Sequence, residues 1–166
     1  MKNLTDKEIE KVYKIIKAFD EGLLVNPQEG WEHDYYDEKL LDKNSLKQIL
    51  KKLKSSMPKM SINHAEKEVL VRKYDTFNNI IDKNVDRTVT KAFNNRLTLE
   101  MEYFSMEKAE FTKRKIDIYA KNSKYIVGYC HSKNAIRKFR ISRIGKARIT
   151  SNKYETPINF NKKDYL

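Results

Sequence analysis

The sequence predicts an α+β protein: a helical region over residues 1–96, followed by a small, strongly bent five-stranded β-barrel over 97–166. Two observations predict it. Apolar residues recur at helical spacing in the first half, and from Leu97 onward the period changes to two. A third is the placement of turn residues between short alternating runs. With 166 residues and 39% hydrophobic content, the chain is long enough for one ordinary domain or two small ones, each with a core.

The first helix is announced by a capping box, Thr5 with Glu8, and by Ile9, Val12, Ile16 and Phe19 on one face. Gly22 ends it. Asn26 to Asp42 reads as a polar loop with Pro27, Gly30 and aromatic anchors Trp31, Tyr35 and Tyr36. A second helix is predicted from Ser45, with Gln48 completing a second capping box and Leu46, Ile49, Leu50 and Leu53 along one face. The connection between these two helices is far too long for a helix-turn-helix, which needs about three or four residues. Its lysines, Lys47, Lys51, Lys52 and Lys54, read as a solvated face. Glu68 to Tyr74, with Val69, Leu70 and Val71, reads as a short strand. Asp75 to Asn95 reads as a helix carrying Phe77, Ile80, Ile81, Val85, Val89 and Phe93.

The strands follow. Leu97, Leu99 and Met101 alternate with Thr98, Glu100 and Glu102, and Arg114, Ile116, Ile118 and Ala120 alternate with Lys115, Asp117 and Tyr119. A third strand is predicted from Tyr125 to His131, a fourth from Ile136 to Ile141 and a fifth around Ala147 to Thr150. Asn122-Ser123 and Ser132 to Asn134 supply turns. Five short strands after a helix predict the bent barrel.

The charge is unevenly placed. Phe111 to Lys153 holds thirteen Lys and Arg against one acid, Asp117, whereas the remaining residues hold 22 of each sign, so the whole formal +12 lies in this stretch. A basic field so concentrated fits a phosphate-bearing partner, or else a solvated lysine face. The N-terminal residues contain no uninterrupted apolar run, which excludes a signal peptide or a membrane span there. Cys130 is the single cysteine, so no internal disulfide or cysteine-cluster zinc site exists, and a reducing cytoplasmic address is expected.

Lys124-Tyr125-Ile126-Val127-Gly128-Tyr129-Cys130-His131 resembles the strand that gives WYL domains their name, with Lys124 and Ile126 in place of Trp and Leu. Arg137-Lys138-Phe139-Arg140-Ile141-Ser142-Arg143-Ile144 is similar to the family's Arg-x-Phe-Arg-x-x-Arg-Ile signature. Ala92-Phe93, Leu97 to Tyr103 and Arg114-x-Ile116-x-Ile118 fit the segments before it, although Ile118 stands where Pro is usual. The resemblance covers about the last seventy residues. It implies an Sm-like, SH3-type barrel with a basic and polar pocket, a ligand-sensing or nucleic-acid-binding regulatory module within a transcriptional regulator or accessory protein. The helical region would then be a connector or oligomerisation region.

The residues expected at the site are Arg114, Tyr125, His131, Arg137, Arg140 and Arg143. Arginine gives phosphate bidentate, charge-assisted hydrogen bonds. Tyr125 and His131 could offer a hydroxyl, an imidazole and a stacking surface. Phe139 is expected in the core. The expected partner is single-stranded nucleic acid, a nucleotide or another anionic ligand, with a homodimer also considered and no membrane. The alternative is a protein-interaction or assembly module without a nucleic-acid ligand. No cofactor and no metal are expected, because His33, His64 and His131 lack metal-ligand spacing. No enzyme is expected either: Asp117 and Lys121 look like a nuclease remnant but lack converging carboxylates, and Cys130 and His131 point to opposite strand faces.

Overall fold

The structure is a computed structural model that describes residues 4–23, 42–75 and 80–166. The aromatic loop residues Trp31, Tyr35 and Tyr36, and Phe77, lie outside the described residues. The chain divides into two compact units, 1–73 and 74–166.

In the first unit α1 (Asp6–Asp20) begins at the expected capping box: Glu8 N–H donates to Thr5 Oγ1, and Thr5 N–H donates to the Glu8 carboxylate. The second helix, α2 (Lys43–Ser55), starts two residues before Ser45. Its cap is Asp42, whose carboxylate accepts from Asn44 and Ser45 N–H and from the Ser45 hydroxyl, so the predicted box at Ser45 does not form. The segment read as a strand is the second half of α3 (Lys59–Tyr74). Val69, Leu70 and Val71 look strand-like by themselves, but Ala65 and Val69 sit one helical turn apart and both are buried. Only Ser56, Met57 and Pro58 separate α2 from α3, and Met57 is buried with Tyr13, Leu46, Leu50 and Ala65. The Tyr13 hydroxyl donates to Glu66 Oε1 at 2.9 Å, and burial with this carboxylate contact raises the phenol's pKa.

In the second unit α4 (Lys83–Asn94) begins later than the periodicity predicts, because Asp82 caps it by accepting from Asn84 and Val85 N–H. It carries Val85, Val89 and Ala92 onto the sheet, where they join Leu99, Met101, Ile116, Ile118, Ile126 and Phe139 in one core. Each fully buried branched side chain there contributes about 1.5–3 kcal/mol.

All five strands are present: β1 (Leu97–Ser105), β2 (Glu110–Lys121), β3 (Tyr125–Cys130), β4 (Ala135–Arg140) and β5 (Ile144–Lys153). Strands β1 and β2 extend past their predicted ends into a hairpin that pairs Ser105 with Glu110, its turn closed by Ala109 in the left-handed region. The sheet is antiparallel, in the order β4-β3-β2-β1-β5.

This corrects the barrel expectation, because no hydrogen-bonded ladder joins β4 to β5. Side chains carry the curl instead. The Tyr103 ring packs edge-on against Phe139 at 5.1 Å, and its hydroxyl accepts from Arg140 N–H at 3.3 Å. A 3-10 turn over Ile141–Arg143 links the two edges.

Gly128 on β3 lies where β2 is irregular, between Ile118 and Ala120. A Cβ there would meet the Asp117 backbone oxygen at 2.0 Å. That contact is with backbone, which has no rotamer to yield. Gly128→Ala should therefore lower unfolding free energy by about 3 kcal/mol in denaturant titration, while Gly22→Ala, at a left-handed turn with open space around it, should cost about 1 kcal/mol.

Candidate functional site

A groove of about 720 Å³ crosses β1, β2, the residues after β3 and β5. Strand alternation builds it. Glu100, paired with Lys115 on one side and Arg148 on the other, places all three side chains on one sheet face, and Glu102 does the same with Lys113 and Lys146.

Glu100 binds both its cationic neighbours, Lys115 at 3.1 Å and the Arg148 guanidinium. These contacts, Arg148 first, hold its carboxyl below the usual range. Glu102 reaches Lys146 at 3.4 Å. Five cations border the groove against two carboxylates: Lys113, Lys115, Lys146 and Arg148 share one face, and Arg114, opposite Met101, alternates to the other.

Arg114 is held by neutral partners. Its Nε donates to Thr112 Oγ1 at 3.2 Å and its Nη1 to Ser132 Oγ at 2.8 Å, so its charge is oriented without being cancelled. His131 borders the same groove, its Nε2 2.9 Å from Asp117 Oδ2. A carboxylate only accepts, so the ring donates this bond. Asp117 is buried and also accepts from Thr98 Oγ1 at 2.6 Å, which ties β1, β2 and the turn after β3 at one point. The lone acid of the basic stretch thus orients the imidazole.

The structure brings two of the six expected site residues, Arg114 and His131, into this groove. The other four are placed elsewhere. Arg137 is exposed on the edge strand β4, opposite Gly128. Arg140 donates from Nε to Ser142 Oγ at 3.1 Å, and Arg143 donates from Nε to the Tyr74 carbonyl at 3.2 Å. Tyr125 lies beneath Lys138, whose ammonium sits 4.6 Å from the ring centroid. Sequence reasoning missed Lys113, Lys115, Lys146 and Arg148 and the part played by Asp117. A signal was available: once β2 is extended to Glu110, Lys113, Lys115 and Asp117 fall on one face by alternation.

Residues 85–149 match the family described as "WYL domain". These residues form a WYL domain. The match begins on α4 and ends on β5, so it includes the strands that make the groove. WYL domains are a family not known to be catalytic. Among solved structures the chain is similar to proteasome accessory factor B/C (PafBC) of Arthrobacter aurescens, at 19% identity and a TM-score of 0.37, over 91% of this chain and 21% of that one. The chain thus spans about a fifth of that relative's length. No curated protein matches it. Among the described residues no cluster of His, Cys, Asp and Glu could hold a metal ion, and no helix is long and apolar enough to cross a membrane.

Beside the groove, the Tyr154 hydroxyl donates to the Ile118 carbonyl, and its pKa is pushed up to about 12 by burial, with the Asp117 charge adding to the effect. A phenol whose folded-state pKa exceeds its unfolded value of about 10 stabilises the fold fully below pH 10 and loses that contribution as pH rises through 12. Thermal melts across that window should show wild type losing stability more steeply than Tyr154→Phe. Parallel curves would remove this account of Tyr154.

Proposed function

We propose that the WYL domain is a ligand-sensing or nucleic-acid-binding regulatory module, within a transcriptional regulator or accessory protein, whose groove takes a single-stranded oligonucleotide, a nucleotide or another anionic effector. One observation carries the reading: the groove holds five cations against two carboxylates, with Arg114 oriented by neutral hydroxyls. Cations held in place on a concave surface focus field on an approaching phosphate. Arg114 supplies a planar fork for a phosphate at the border of the groove, while Lys113 and Lys115, at alternate positions of β2, offer ammonium groups on the face they share. Glu100 and Glu102 set the strength of that field, since they offset three of the five charges at close range.

Fluorescence anisotropy with short labelled single-stranded DNA and RNA tests the reading. Affinity should fall with rising salt, with a log–log slope of about 0.7 per phosphate neutralised. Arg114→Ala should weaken binding about tenfold, the ~1.4 kcal/mol typical of one charge-assisted hydrogen bond. Glu100→Gln should act in the opposite direction, tightening binding and steepening the salt slope, because Lys115 and Arg148 lose their shared counter-charge. Binding indifferent to salt and to Arg114 would end the proposal.

A further inference from the structure

The outer face of β2, β3 and β4 carries a second constellation of binding groups, and the last residues of the chain lie on it. Tyr119 on β2 and Tyr125 on β3 are half-buried, and Lys138 on β4 caps the Tyr125 ring. The segment after Tyr154 meets Tyr119 and Lys138. Phe160 meets the Tyr119 ring edge-on at 5.3 Å, Phe160 and Tyr165 stack at 5.6 Å, and the Lys138 ammonium donates to the Tyr165 carbonyl at 2.7 Å.

The attachment is sparse. Among the described residues, backbone hydrogen bonds of the segment beyond Tyr154 close only on itself, at Phe160 to Pro157, Asp164 to Asn161, and Tyr165 and Leu166 to Lys162. Most of its side chains are exposed, Ile158 fully. Few apolar contacts and no pairing to the sheet put such a segment at the low end of local stability.

We infer that residues 155–166 are a displaceable strap covering a stacking site for single-stranded nucleic acid, formed by Tyr119, Tyr125 and Lys138. The chemistry of the cover matches the chemistry of the ligand. Two rings stacked on one another and set against a tyrosine occupy the space that two consecutive bases would fill, and aromatic side chains take any base because every base has a π-face. Lys138, which now donates to a carbonyl, would meet a phosphate oxygen when the strap leaves. The strap therefore competes with the ligand, and its displacement couples occupancy of this face to a change in the C-terminal segment. The inference takes its ligand class from the function proposed above, but it concerns a different face and different residues.

The test uses the full chain. Phe160→Ala/Tyr165→Ala should speed amide exchange over 155–166 while leaving the strands protected, and should tighten binding of a short labelled oligothymidylate several-fold. Adding Tyr125→Ala should abolish that gain. Run in an Arg114→Ala background, the gain should persist, which separates this site from the groove: loss of groove binding alone removes the earlier proposal and leaves this one standing. Where the double variant loses strand protection, Tyr165→Ala alone takes its place. Unchanged exchange over the strap would show that these rings do not hold it, and loosened exchange without tighter binding would show that nothing beneath it takes bases. Either result overturns the inference.

Discussion

Strands β4 and β5 stand at opposite edges of the sheet, yet only the three residues Ile141–Arg143 connect them. A connection that short cannot cross a flat five-stranded sheet, whose strands lie about 4.8 Å apart, so the sheet must curl until its edges approach. Tyr103 marks where they do. Its ring rests on Phe139 and its hydroxyl accepts the Arg140 N–H, which as part of an edge strand has no neighbouring strand to bond on that side. Everything else in the second unit follows from this curl.

Curling gives the sheet an inside and an outside with different chemistry. Inside, α4 and the alternating residues Leu99, Ile116, Ile118 and Ile126 exclude water and fix the strand register. Outside, the residues one position away are mostly charged, polar or aromatic, and the two buried polar ones, Thr98 and Asp117, are hydrogen-bonded to each other. Thr98, Asp117 and His131 are tied together there, flanked by the cations of the groove on one side and by Tyr119 and Tyr154 on the other. One slip of register would exchange the two sets, which is why tight backbone approach at Gly128 matters as much as the apolar core.

The parts legible in the sequence are those with strictly local causes. The Thr5–Glu8 box, the period-two runs and the turns at Asn122-Ser123 and Ser132 to Asn134 depend on neighbours within a few residues, and each stands where it was read. The WYL resemblance carried by the Tyr125 to His131 and Arg137 to Ile144 segments was likewise legible. Helix α3 was missed because Val69-Leu70-Val71 is ambiguous by itself, and what decides it, Tyr13 meeting Glu66, is a contact across 53 residues. The site was partly legible for the same reason. Arginines clustered in sequence at 137, 140 and 143 are separated in space by strand alternation and the 3-10 turn, whereas Lys113, Lys115, Lys146 and Arg148 come together only through the pairing of β2 with β1 and of β1 with β5.

Strand β4 has no neighbouring strand on its outward side, an arrangement that invites a strand from another molecule to add on. Its sequence counters that. Arg137 and Lys138 stand exposed in the middle of the strand, and a second copy laid alongside would bring like charges face to face. Like charges in the middle of this edge therefore oppose the addition of a second copy of the strand, and that protection rests on two side chains that take no part in the core.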